Sequence, residues 1–266
     1  MLLPRILTAL ILAPLFIWAI FSLPTDYFSY LLLLFVALGG WEFAQLIKIE
    51  KPLYRLLVSA GIVGCAVVAS EHTQNLQIVL MVSVAWWGLN LYWVISYPNN
   101  VQSWYGSGIV RVMGGVMLLV PMWVALTNLH ADYSRDYFLL LMLLIWGADS
   151  GAYFAGKAFG KHKLAPNVSP GKSIEGVVGG IVLAVIIMLA FLQYQNIASD
   201  AYTGYLLLAV VVSSVSVLGD LYESLFKRTS GIKDSGNILP GHGGILDRID
   251  SLTAAAPFFL LGLGLI

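Results

Sequence analysis

Residues 174–194, IEGVVGGIVLAVIIMLAFLQY, decide the fold, because after Glu175 no charged side chain interrupts the run. About 20 apolar residues wound as a helix cross the hydrocarbon core of a bilayer, so this stretch predicts a transmembrane helix. Working outward, apolar sequence of similar length recurs at approximately 5–23, 27–47, 54–70, 76–96, 108–128, 136–155, 201–221 and 251–266, with short polar breaks between. The predicted fold class is therefore all-α: a polytopic membrane bundle of about nine transmembrane helices, forming a single membrane domain over 1–266. The last span is short. The first is longer than the apolar run of a secretory signal, and no small-residue cleavage site stands out before Leu23-Pro24, so it is expected to be a retained helix.

Composition agrees. Hydrophobic residues make up 59% of the 266 and charged residues 11%, against roughly a quarter charged in soluble domains. The 14 Lys and Arg balance 14 Asp and Glu, which excludes the basic surface of a nucleic-acid binder. A single cysteine, Cys65, rules out a disulfide framework or a Cys-based metal site and is expected to be an inert core thiol.

The placement of charge sets the orientation. With the N-terminus inside, the inner segments hold Arg5, Lys48, Lys51, Arg55, Arg111, Lys157, Lys161, Lys163, Lys172, Lys227, Arg228, Lys233 and Arg248. The outer segments hold only Arg135, so 13 of the 14 basic residues fall on one side. Lys and Arg accumulate on the cytoplasmic side, which places the polar segments 156–173 and 222–250 in the cytoplasm. Polar residues concentrate in 136–266, the expected catalytic half, while 1–135 reads as N-terminal helices. Gly147 and Gly151, Gly156 and Gly160, and Gly176 and Gly180 are each four apart, a spacing that lets helices approach closely in lipid.

Ionisable side chains at membrane depth are costly and therefore candidates for function. Asp149 closes the run Leu143-Leu144-Ile145-Trp146-Gly147-Ala148, and Asp220 closes the run ending Val217-Leu218-Gly219. At helical spacing Asp220, Ser224 and Lys227 share a stripe, with Glu223 beside them. An interfacial helix end carrying a solvated salt bridge would show the same stripe. The following segment separates the readings: Lys227-Arg228 leads to Lys233-Asp234, then to Pro240-Gly241-His242-Gly243-Gly244 and Asp247-Arg248-Ile249-Asp250. Glycines let backbone N–H groups approach phosphate oxygens, Lys and Arg supply positive charge, and carboxylates hold Mg²⁺. Together they describe a metal and phosphate site. Asp220 and Asp247, with Asp250 and Asp149 in reserve, allow two metals.

Gly171-Lys172-Ser173 resembles the end of a P-loop, but the first glycine of that motif would fall at Pro166 and no strand is expected before it. His242 has no second histidine nearby for a metal site, so bonding to phosphate or shaping the loop is its expected role. His72, His130 and His162 are expected at interfaces, and the Trp and Tyr residues at interfaces or in packing.

The segment Ser224 to Asp250 resembles the signature of the phosphatidate cytidylyltransferases, also called CDP-diglyceride synthetases: Ser, then Lys-Arg, then Lys-Asp, then a His-Gly-Gly stretch closing in Asp-Arg-x-Asp. Ser169-Pro170-Gly171-Lys172-Ser173-Ile174-Glu175-Gly176 is similar to the family's second polar segment, and the string of spans fits as well. The resemblance implies transfer of CMP from CTP to phosphatidic acid, giving CDP-diacylglycerol and pyrophosphate. It implies Mg²⁺ as cofactor, as two divalent ions or one divalent plus a second cation. Asp220 and Asp247 are then assigned to metal, and Lys227 to the reacting centre with Asp234 and Asp250, which either orient the bases or complete the metal shell. Substrate phosphates fall to Lys172, Ser224, Arg228, Lys233, His242, Gly243, Gly244 and Arg248. The expected partners are CTP, phosphatidic acid and membrane lipid, with no nucleic acid; a homodimer is left open. The expected location is the bacterial inner membrane. Two rival readings are a CDP-alcohol phosphotransferase, whose Asp-Gly-x-x-Ala-Arg opening is absent, and an ion-coupled transporter, which would place its carboxylates at the bilayer midplane rather than towards one face.

Overall fold

The structure is a computed structural model that describes residues 3–71, 76–238 and 243–266, with side chains from residue 10 onward except at 71. Among these residues the chain forms ten α-helices and one small hairpin: α1 (Leu3–Ser22), α2 (Thr25–Leu46), α3 (Pro52–Glu71), α4 (Leu76–Ser96), the short α5 (Val101–Tyr105), α6 (Gly108–Asp132), α7 (Arg135–Phe159), β1 (Lys163–Ala165), β2 (Ser169–Ser173), α8 (Ile174–Tyr194), α9 (Tyr202–Ser230) and α10 (Leu246–Leu263).

Seven of these helices, α2, α3, α4, α6, α7, α8 and α9, are long and apolar enough to cross a membrane. The chain is thus an integral membrane protein of the all-helical kind. Nine spans were expected, and the two beyond the seven have separate explanations. For α1, only Leu10–Ser22 counts as an apolar helix among the described residues. The 18 residues of α10 include Asp247, Arg248 and Asp250, too polar for a hydropathy window.

Close approach is greatest between α7 and α8. A Cβ on Gly151 would lie 2.6 Å from the Gly179 carbonyl oxygen, and one on Gly180 would lie 2.6 Å from that of Ala148. The glycines spaced by four therefore do bring backbones together, as dispersion-driven packing in lipid requires. On α8 the sides separate cleanly: Gly180, Ala184, Met188 and Leu192 are buried, while Val178, Val182 and Ile186 face outward. Residues 251–257 of α10 are all buried, so this helix runs through the middle of the bundle. Beside it Phe43, Trp104 and Tyr222 close around Phe226, with ring centroids 5.0–5.2 Å away.

Several expectations need correction. The chain carries an antiparallel hairpin between α7 and α8, with Lys163 opposite Ser173, so a short strand does precede Gly171-Lys172-Ser173. Lys172 lies inside β2 rather than in a loop, and the P-loop reading still fails at Pro166. Segment 222–250 is helical at both ends: α9 continues to Ser230, where Gly231 ends it in the left-handed region at φ 77°, and α10 begins at Leu246. Of the residues between, the described ones, 231–238 and 243–245, lie outside helices. Cys65 is exposed on α3 instead of sitting in the core, because α3 turns most of its surface outward. His130 is fully buried, stacked on Phe28 at 4.1 Å and bonded to the Ile20 carbonyl at 3.0 Å, which makes it a tie between α1, α2 and α6. His162 pairs with Glu175 at 2.6 Å. His72 and His242 lie outside the described residues.

Candidate active site

At the end of the bundle where α9 and α10 meet the hairpin, a cavity of about 520 Å³ opens. Its polar lining consists of Asp149 and Lys157 from α7, Lys172 and Ser173 from β2, Asp220 from α9, and Asp247, Arg248, Asp250 and Ser251 from α10, with the hydroxyl of Tyr153. Ala152, Val177 and Val217 line the rest beside Tyr153. The helices converge here for a local reason: a Cβ on Gly219 would collide with the Asp250 carbonyl, so glycine lets α9 and α10 touch and brings Asp220 alongside Asp250. Asp220 lines the same cavity as Asp149 and Asp250.

Lys172 reaches from the hairpin to Asp220 at 2.6 Å, and the Ser224 hydroxyl donates to the other oxygen of Asp220 at 3.2 Å. One turn further along α9, Lys227 sits between Glu223 at 3.0 Å and Asp247 at 2.9 Å. All three of these side chains are largely withdrawn from solvent, at 16%, 1% and 10% exposure, so the triad is an interior ion network rather than a surface salt bridge. Asp247 also accepts the backbone N–H of Gly244 at 2.8 Å and that of Ser235 at 3.1 Å. It thereby folds the loop back on the helix it begins. Gly243 takes φ 81° in this turn, a conformation that favours glycine. About 100° around α9 from Lys227, Arg228 is exposed and donates to the buried Val168 carbonyl at 3.1 Å, tying the helix to the hairpin.

The structure thus gathers Lys172, Asp220, Ser224, Lys227, Asp247, Arg248 and Asp250 into one site, with Gly243 and Gly244 forming its adjacent turn. Arg228 does not line the cavity and instead bonds the turn of the hairpin. Lys233 and Asp234 lie exposed on the loop 231–245. Among the described residues no three His, Cys, Asp or Glu side chains form a group able to hold a metal ion by themselves. The donors at hand are all carboxylate oxygens, which suit a hard cation such as Mg²⁺ that keeps water or phosphate oxygens in its shell.

Two acidic residues were passed over or left without a role in the sequence. Glu223 was visible beside the stripe, and it proves to be the buried partner of Lys227. Glu42 on α2 was missed altogether. It is 1% exposed and accepts the N–H groups of Ile245 and Leu246, at 3.1 and 2.7 Å. The signal was there, since Glu42 interrupts the apolar run 27–47 just as Asp149 interrupts its own.

The chain matches the cytidylyltransferase family over residues 3–265. It is 42% identical to a phosphatidate cytidylyltransferase of Haemophilus influenzae, over 97% of each chain. It is 45% identical to one of Pseudomonas aeruginosa, over 97% of this chain and 96% of the other. A third, from Bacillus subtilis, is 48% identical over 50% of this chain and 49% of its own. Because the likeness runs through the outer helices as well as through the charged segment, the chain belongs to the cytidylyltransferase family.

Proposed function

We propose that this chain is a phosphatidate cytidylyltransferase of phospholipid biosynthesis, transferring CMP from CTP to phosphatidic acid to give CDP-diacylglycerol and pyrophosphate. The observation that carries the reading is the composition of the cavity, which is lined by carboxylates and cations together with glycines and apolar side chains. That combination suits a polyphosphate meeting a lipid. The near full-length relatives bear the same name.

A phosphate-monoester oxygen of the lipid is already anionic near neutral pH. It attacks the α-phosphorus of CTP, forming one P–O bond while the bond to the bridging oxygen breaks and pyrophosphate leaves with the electron pair. No side chain has to remove a proton from the nucleophile. The protein's task is to neutralise two polyanions and hold them in line. Lys172, Arg248 and Lys233 supply charge for the phosphates, the Ser224 hydroxyl and the N–H of the turn at Gly243 and Gly244 hold the carboxylates of Asp220 and Asp247, and Arg228 braces the hairpin that carries Lys172. Lys227, fixed between Glu223 and Asp247, orders the reacting centre, with Asp250 and Asp234 flanking it. Asp220 and Asp247 would hold Mg²⁺, completed by substrate oxygens and accompanied by a second cation; when bound it adds charge neutralisation at the α-phosphate.

In this reading α1 and α10 cross together with the seven longer helices, making nine spans, and loop 231–245 and the hairpin face the cytoplasm, where CTP is found. Purified protein given radiolabelled CTP should move label into chloroform-soluble lipid when phosphatidate is added and not without it; no transfer with phosphatidate present would overturn the activity. For orientation, Asn237→Cys in a Cys65→Ser background should resist an impermeant thiol reagent in intact cells and react after lysis. Ready labelling of intact cells would reverse the topology.

A further inference from the structure

We infer that Glu42, on the second helix and outside the cavity, is a positioning residue that sets the start of α10 and through it the placement of Asp247, Arg248 and Asp250. This rests on the cytidylyltransferase reading only for its kinetic consequence.

A glutamate fully enclosed in an apolar bundle needs donors for both oxygens, because an unpaired buried charge is expensive. Glu42 has them. Its Oε1 accepts from Ile245 N–H at 3.1 Å, and its Oε2 accepts from Leu246 N–H at 2.7 Å and from the Ser235 hydroxyl at 3.3 Å. The N–H groups at a helix start lack partners within the helix and carry partial positive charge. Glu42 therefore acts as an N-terminal cap supplied by another helix, more than 200 residues away in sequence.

Its relation to Asp247 makes the cap matter for chemistry. The two carboxylates share the same loop but divide its donors. Ser235 gives its hydroxyl to Glu42 and its N–H to Asp247. Along the chain, Gly244 gives its N–H to Asp247 while Ile245 and Leu246 give theirs to Glu42. The loop is held from both sides at both of its ends. Two glycines record how tightly: a Cβ on Gly244 would meet Glu42 Oε2 at 2.5 Å, and one on Gly236 would meet the Glu42 carboxyl carbon at 2.7 Å. Substituting the carboxylate removes one side of this clamp while leaving every cavity side chain chemically unchanged.

Glu42→Gln tests this, since the amide keeps the volume but turns an NH₂ group against an N–H donor. Two measurements are made on detergent-purified protein: hydrogen exchange of residues 243–250, and steady-state kinetics with CTP and phosphatidate varied separately. The expected result is exchange at least about tenfold faster at 243–250, with helix α8 unchanged. kcat should fall about 10- to 100-fold, the range for a misplacement of the order of 1 Å, with KM for phosphatidate within about twofold of wild type. Unchanged exchange in 243–250 overturns the inference whether or not activity falls, and so does faster exchange with unchanged kcat. If wild-type protein shows no transfer from CTP to phosphatidate, the functional reading fails, and the exchange result alone still decides the clamp. If Glu42→Gln does not fold, Ser235→Ala, which removes one of the three hydrogen bonds to Glu42, is read by the same two measurements with a smaller effect expected.

Discussion

Helices α3 and α10 are opposites. The first turns Leu53, Tyr54, Leu56, Leu57, Val67 and Val68 outward, and its polar residues are few. The second is buried from Ser251 to Pro257 and opens with Asp247, Arg248 and Asp250 in the cavity wall. By hydropathy alone α3 is the clear transmembrane helix and α10 is not. Yet α10 is the helix around which the bundle is built. Hydropathy reports what a helix can be dissolved in. It does not report what the helix is packed against, because lipid and protein interior are equally apolar.

The strongest way to break the contrast is to remove charge from the inner helices. Asp220→Asn and Asp247→Asn should each reduce turnover by about 10²-fold or more, the scale of losing one electrostatic group at a reacting centre, with the folded yield of Asp220→Asn near wild type. Asp247 carries the extra load of Lys227 and two loop N–H groups, so its variant should also unfold at lower temperature. Near wild-type kcat at saturating Mg²⁺ for either variant would remove that residue from the metal assignment.

A second test sharpens the contrast within one helix. Lys227 and Arg228 are adjacent in sequence, but one is held between two acidic side chains and the other is exposed on the hairpin side. Lys227→Ala leaves Glu223 and Asp247 without their cation, a change that costs about 3–5 kcal/mol in buried pairs, and kcat should fall steeply. Arg228→Ala loses one bond to the Val168 carbonyl, so its effect should be smaller and appear mainly as a raised KM for one anionic substrate. Equal loss of kcat with every KM unchanged would refute the division of labour. Thermal unfolding in detergent separates the structural share of the Lys227 effect.

Much of this was legible in the sequence. The apolar runs gave the helices because about 20 such residues have few alternatives in a bilayer, and the run from Ser224 to Asp250 marked the site because so many charges and glycines rarely share a short segment. What escaped notice was not local. The clamp from Glu42 to Leu246 joins residues far apart in the chain, and the hairpin at 163–173 is too short for a period of two to stand out. The apolar run ends near 221, but the helical spacing of Asp220, Ser224 and Lys227 already carried the helix further, and α9 does continue to Ser230. Its last turns are stabilised by packing of Tyr222, Leu225 and Phe226 in the core, and only their opposite face is polar. The outward position of Cys65 was unreadable for the reason that separates α3 from α10: an apolar run does not say which face meets lipid.

The smallest expected effect belongs to the lipid-facing side and is the most direct check on that last point. Leu57 is 58% exposed on α3, in contact with lipid if the bundle is inserted as described. Truncating it to alanine opens no cavity, since neighbouring acyl chains fill the space, and should change stability by no more than about 0.5 kcal/mol, as for surface positions in general. Leu260 on α10, 5% exposed, should cost about 2–5 kcal/mol on the same truncation, because its surroundings are packed protein that relaxes only in part. Both side chains are leucine, so transfer free energy alone predicts equal losses. A Leu57→Ala variant as damaged as Leu260→Ala, measured by thermal unfolding in the same detergent, would mean that α3 is covered by protein in the membrane, and the contrast between the outer and central helices would have to be redrawn.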